Sequence, residues 1–355
     1  MLAKPGTDVG RHFKDQEVSY ADLPYRAVAE FTKAVCGLVP NTVLGAIASI
    51  RENTSRLIAH LSRELDAPYL THRALLPNPD DSEQLLLSLI ASECRAVLED
   101  EDVGQFGGLG WLSTWIESRN LSFPLNVSYG NISVKLTDPG SLKRLLEVGA
   151  QAHLQESSLS PSKRAKAAKQ LGELDLTGLL SDRNKDESPD ALFALLTTQR
   201  PHYGANAPIL TLGSILRDNV GGTTHYWVCI QPKCDAVRVE KRRRFLFLPL
   251  EPSPDNRFCT VTFDQGKVLK LRRTRKPYEI TSFTFPASAN QVVRASRVGD
   301  DFLFSTTSKK KLTWLGQLRD EIAQQIAHDV STRLSRVGAN PSEWLRYAER
   351  RLLQG

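Results

Sequence analysis
The chain has 355 residues, 41% of them hydrophobic and 24% charged, with a net charge of +6 and a pI of about 9.0. That is the composition of an ordinary globular protein, long enough for two or three domains and a sizeable core. No run approaches eighteen apolar residues and residues 1–20 are polar, which predicts no membrane-spanning helix, no secretory signal and no membrane partner.

The charge is unevenly spread. Residues 231–311 hold eighteen Lys or Arg against eight Asp or Glu, so the rest of the chain is slightly acidic. A basic block in one quarter of a chain fits either an anionic partner or a solvated sheet face. The five cysteines (Cys36, Cys94, Cys229, Cys234 and Cys259) form no Cys-x-x-Cys pair and have no His cluster beside them. This argues against a zinc site, and reduced thiols without a signal point to the cytoplasm. No metal or cofactor is implied.

In chain order, residues 1–20 read as a disordered lead. Residues 21–200 read as a helical domain with irregular linker segments. Val43, Ile47, Ile50, Leu57, Ile58, Leu61 and Leu65 recur at three- and four-residue steps, which predicts one buried helix face after Pro40. Asp80 with Glu83 has capping-box spacing and opens a helix that buries Leu86, Ile90, Cys94 and Val97. The glycines after Glu99–Asp102 end it, and Trp111, Leu112, Trp115 and Ile116 form a short helix with core anchors. Gly107-Gly-Leu-Gly110 follows no strand and has no Lys-Ser/Thr after it, so it is not a P-loop. Residues 120–200 are less regular, with a polar helix over Ser158–Gln170, a linker over Ser181–Pro189 and a short helix over Pro189–Gln199.

From Pro208 the period changes to two. Strands are predicted at Ile209–Leu216, Tyr226–Ile230, Ala236–Val239, Phe245–Leu250, Phe258–Phe263, Val268–Leu271, Ile280–Phe285 and Phe302–Thr306. So many short strands over 208–316 indicate a small, strongly bent sheet or an SH3-like β-barrel. Lys309-Lys-Lys311 reads as a solvated turn. Residues 317–355 close the chain with a helix pair. Leu318, Ile322, Ile326, Val330 and Leu334 mark the first helix, Gly338 stops it, and a second begins near Asn340. The fold class is α+β.

Two sets of residues attract attention. Gln231, Cys234, Asp235 and Arg238 lie on a polar turn between strands, where a rigid frame holds side chains in place. A nucleophilic Cys234 would need His225 as base, yet nine residues of extended chain put them roughly 30 Å apart unless Pro232 reverses the chain. The other readings are a structural turn and a recognition turn, and no catalytic residue is assigned. The second set is Arg242, Arg243 and Arg244 with Arg272, Arg273 and Arg275. On adjacent strands of a barrel these form one basic stripe suited to phosphates.

Tyr226-Trp-Val-Cys-Ile-Gln-Pro-Lys-Cys-Asp-Ala-Val-Arg238, Phe245-Leu-Phe-Leu-Pro-Leu250, Ser335-Arg-Val-Gly338 and Glu343-Trp-Leu-Arg346 together resemble the C-terminal region of bacterial response receiver domain proteins. Leu70-Thr-His-Arg-Ala-Leu-Leu-Pro-Asn-Pro-Asp-Asp81 is similar to their helical part. These large regulators occur beside histidine-kinase-like ATPase genes in settings that look like anti-phage conflict systems. The resemblance spans most of residues 21–350. The chain departs from the family in lacking the strands and acidic pair of a receiver. The resemblance therefore implies an output region. It would act as a non-enzymatic regulatory or effector module with a protein partner, a histidine-kinase-like ATPase being the one suggested. The basic stripe keeps a nucleic-acid-binding or nucleic-acid-cleaving effector as the alternative.

Overall fold
The computed structural model describes residues 37–334 apart from 77–78, 80, 182–188, 204–205, 255–257, 275 and 289–290. The expected lead over 1–20, Cys36, the Asp80 cap, the middle of the Ser181–Pro189 linker, Arg275, the Gly338 stop and the last helix lie outside those residues. The class is mixed α+β, and the chain divides into two compact units, Met1–Arg183 and Asn184–Gly355.

The first unit begins with helices α1 (Leu38–Glu52), α2 (Thr54–His60), α3 (Asp66–Leu75) and α4 (Asp81–Asp100). The single helix expected across residues 40–65 is broken at Asn53. Its side chain donates to Ser49 O (3.0 Å) and to Glu101 Oε1 (3.2 Å) and accepts from Arg56 (3.0 Å). An Asn that bonds to local backbone competes with helix propagation in this way. The apolar stripes are only partly covered: Ile47 and Ile58 are 59% and 66% exposed and Leu86 and Ile90 on α4 are 39% exposed, whereas Ile50, Leu57, Leu61, Cys94 and Val97 are half-buried.

The core of this unit lies instead in the stretch read as irregular. Helix α5 (Leu109–Ser118) packs Ile116, Leu112 and Trp115 against the hairpin of β1 (Leu125–Tyr129) and β2 (Ile132–Leu136), together with α6 (Pro139–Val148), α7 (Ala150–Glu156) and α8 (Pro161–Lys169). The hairpin follows from alternation. Val127, Tyr129, Val134 and Leu136 are buried, and their neighbours face outward. Gly130, at φ +59°, makes the two-residue turn with Asn131. Asp138 caps α6 by accepting from Ser141 N (2.9 Å), with Pro139 in the first turn. Strand β3 (Leu174–Asp175) adds to β1, and α9 (Thr177–Leu180) follows it.

The second unit opens with α10 (Pro189–Thr198) and β4 (Gln199–Arg200), so this short helix belongs with the strands and not with the helical half. Strands β5 (Ser214–Val220), β6 (Thr223–Cys229), β7 (Arg242–Pro252), β8 (Thr260–Asp264), β9 (Lys267–Arg273), β10 (Thr281–Pro286), β11 (Ser296–Val298), β12 (Asp301–Ser305) and β13 (Lys311–Leu318) follow, with one-turn helix α11 (Lys233–Ala236) after β6. The main path of the sheet is β11-β12-β13-β5-β6-β7-β9-β8, all antiparallel, with β10 on β7 and β4 on β13.

Strand β7 explains the curl. One edge pairs with β6 from Phe247 to Leu250. The other is divided between β10, over Arg242–Phe247, and β9, over Leu250–Pro252. Pro249, which has no N–H to donate, lies in the gap where the partner changes. Both faces of the shared strands are buried as a result. Leu216, Cys229, Phe245, Phe247, Phe285, Phe304 and Leu312 form a core on one face. Ile215, Tyr226, Val228, Leu248, Leu250, Leu271 and Leu318 form the core on the other, beneath Ala323, Ile326 and Val330 of α12 (Asp320–Leu334). The outcome is a curled half-barrel with a helix on one side.

Three sequence-based elements are corrected. Ala236–Val239 is not a strand. The Asp235 and Ala236 amides donate back to Pro232 O (3.0 and 3.2 Å), which winds α11. Ile209–Leu216 becomes a strand only at Ser214, because Gly213 has φ +85°. Leu318 ends a strand, β13, and α12 starts after it at Asp320.

Candidate functional site
The polar turn is built by α11. Gln231 Nε2 donates to Asp235 Oδ2 (2.9 Å), Lys233 Nζ pairs with Asp320 Oδ2 at the start of α12 (2.6 Å), and Arg243 donates to the Asp235 carbonyl. Arg238 leaves the turn at φ +58°, and Val239 N then donates to Gln291 O (2.8 Å). Cys234 is exposed, whereas burial pushes the Cys229 thiol up to about 12 and leaves it a small apolar group. His225 faces Asp218 with Nδ1 at 3.3 Å from Oδ1, so the imidazole already has its partner on β5 and no Cys234–His225 pair is made.

The two basic blocks do lie on paired strands, but at opposite ends of them. Arg242, Arg243 and Arg244 begin β7, while Arg272 and Arg273 pair with Glu251 and Leu250 near its end. From Arg244 to Leu250 the blocks are six strand positions apart, roughly 20 Å. The second block is also neutralised. Arg272 is bound to Glu251 by two nitrogens, at 3.0 and 3.1 Å, and Arg273 is bound to Asp329 of α12. Among the described residues no single stripe forms.

The first block is different. Arg243 points toward the core side and holds Asp235. Arg242 and Arg244 are exposed on the other face, and neither has an ionic or hydrogen-bonding partner among the described residues. Their cross-strand neighbours on β10 are Pro286 and Thr284, and Leu246, next on the same face, is opposite Ser282 and 40% exposed. The result is a surface with two free guanidinium groups and an apolar rim of Leu246 and Pro286, and the described positions of β7 and β10 on this face carry no aromatic ring. A second exposed surface lies on the first unit, where Val43, Ile47, Leu70, Leu75 and Leu87 present apolar side chains on α1, α3 and α4.

Sequence reading missed one cluster. Asp218 is only 3% exposed and has Lys310 and His225 beside it. Nothing in the linear pattern joins residues 218, 225 and 310. The β5–β6 register, which puts Asp218 opposite His225, is the only signal that joins two of them. Among the described residues no group of three or more His, Cys, Asp or Glu side chains is placed to hold a metal ion, and no helix is long and apolar enough to cross a membrane. Comparison with protein-family models, with curated proteins and with solved structures finds no match.

Proposed function
We propose that the protein is a non-enzymatic binding module whose strand-rich unit recognises an acidic segment of a protein partner through Arg242, Arg244 and Leu246. The observation that carries this reading is the pair of unpartnered arginines alternating along one exposed strand face, in a unit where Arg217, Lys233, Arg272, Arg273 and Lys276 all have carboxylate partners. Guanidinium groups with free donors suit carboxylates, and the Leu246–Pro286 rim suits apolar side chains between them. Single-stranded nucleic acid is the weaker reading, because the described positions of this face offer no ring on which a base can stack. The exposed apolar side chains of the helical unit also favour protein contact. On the resemblance described above, the partner belongs to a bacterial signalling or defence system, with a histidine-kinase-like ATPase as first candidate.

The test is fluorescence anisotropy at low salt with two probes, a Glu/Leu-rich peptide and a single-stranded RNA. The peptide should bind, and the double substitution Arg242→Glu with Arg244→Glu should weaken it by about tenfold or more, with little change in Tm because exposed charges contribute little to stability. RNA binding that exceeds peptide binding and is lost in the same variant would move the face to nucleic acid.

A further inference from the structure
A second site lies on the opposite face of the sheet from Arg242 and Arg244. Asp218, His225, Trp227 and Phe283 share the side of their strands that carries Leu216 and Phe285, and Lys310 reaches the same side from the turn before β13. Lys310 Nζ is 4.7 Å from the centroid of the Phe283 ring and touches Asp218 Oδ2. Phe283 meets Trp227 edge to face at 5.5 Å, and Trp227 stacks beside His225 at 6.0 Å. The niche therefore has a carboxylate floor and aromatic walls, with an ammonium group inside it.

Its hydrogen bonding is incomplete. Lys310 and His225 both approach Asp218, yet neither carboxylate oxygen receives a hydrogen bond of sound geometry, and the shielded Trp227 Nε1 has no acceptor. A carboxylate withdrawn from water is costly unless N–H donors are aimed at it. The backbone around Lys310 is pinned. Lys310 N donates to Thr306 Oγ1 (2.9 Å), Thr306 N donates to Lys310 O (2.9 Å), and Thr307 N donates to Thr284 O (2.8 Å). The side chain is thus fitted to the niche from a fixed base, and it alone has to move for the niche to empty. Its side chain is 30% exposed, so it has a path to solvent.

We infer that the Asp218 niche is a binding site for a primary alkylammonium group, such as a lysyl side chain of a partner, and that the chain fills it with its own Lys310. The buried carboxylate selects a cation that carries N–H donors, and the rings favour any cation over a neutral group. A quaternary ammonium satisfies the rings but not Asp218.

The experiment uses the full chain carrying Lys310→Ala, with n-butylammonium chloride as probe and tetramethylammonium and sodium chlorides as controls. Butylammonium should raise the Tm of the variant saturably, by several degrees at about a hundredfold above its Kd. Tetramethylammonium should act with affinity lower by about tenfold or more. Adding Asp218→Asn should remove the difference between the salts. Equal responses to butylammonium and sodium, or an undiminished butylammonium response after Asp218→Asn, would overturn the assignment. Should Lys310→Ala not fold on its own, the variant is refolded with butylammonium or with sodium chloride and read at the indole N–H resonance of Trp227. Folding restored by butylammonium and not by sodium supports the site, and no difference between the two salts refutes it.

Discussion
Gly213 shows how much one residue can settle. Its φ of +85° is a conformation that residues with a side chain rarely adopt. A Cβ there would stand 2.7 Å from the Ala323 Cβ of α12 and 3.1 Å from the Leu318 Cβ. The same residue ties two strands together, because its N–H donates to Cys229 O (2.8 Å) and its carbonyl accepts from Leu318 N (2.9 Å). Gly213→Ala therefore adds backbone strain to a clash with a packed helix. The expected cost is about 2–4 kcal/mol, read from urea unfolding with an unchanged m-value. Ala323→Gly in the same chain should recover part of that loss, since it removes the atom that is struck, though a helical glycine has its own cost of about 1 kcal/mol.

At the scale of elements, the half-barrel is drawn together by a polar network on its second face. Arg217 of β5 pairs with Asp264 of β8 and donates to Thr313 of β13 (3.3 Å), and Tyr226 of β6 donates to Asp264 Oδ2 (2.8 Å). Burial and the Asp264 carboxylate push the Tyr226 hydroxyl from about 10 up to about 12. The folded state holds this proton more tightly than the unfolded state does. The associated stability is complete below pH 10 and is lost as pH rises toward 12. Tyr226→Phe should flatten part of the alkaline fall in Tm. Only part is expected to vanish, because buried Cys229, also raised to about 12, has the same sign. None of these contacts was legible in the sequence, since Asp264 lies 38 residues from Tyr226 and a register has to bring them together. The period-two run after Pro208 was legible, because strands buried on alternate faces leave that imprint at Phe245, Phe247 and Phe285. The β1–β2 hairpin had the same imprint, and its two strands of five residues were passed over beside longer helical patterns. The apolar steps from Val43 to Leu65 misled for a different reason. Periodicity reports a face that is apolar, not one that is covered, and here Val43, Ile47, Ile58 and Leu65 are exposed while Ile50, Leu57 and Leu61 are half-buried. The basic residues were legible as charge, but which of them have counter-ions depends on Glu251 and Asp329, which only the fold supplies.

For the whole molecule, the division at Arg183 and Asn184 separates two sets of cores that share no residue. The first unit is organised around Leu142, Leu145, Leu154 and Tyr129, all fully or almost fully buried, and the second around Phe245, Phe247, Phe285 and Phe304. A substitution in one set removes packing from that set alone, so its effect reports whether the two units unfold as one. Leu142→Ala and Phe304→Ala each delete a large side chain with no exposed surface, and each should cost about 2–5 kcal/mol in the unit that contains it. Differential scanning calorimetry of the full chain should then show two transitions. Leu142→Ala should lower only one of them and Phe304→Ala only the other, and the double variant should equal their sum, because the two cores share no residue. A single transition lowered by both substitutions would show one cooperative molecule. In that case, a partner bound at Arg242 and Arg244 would raise the unfolding temperature of the helical unit as well. Two independent transitions would leave the basic face and the ammonium niche as properties of the strand-rich unit alone.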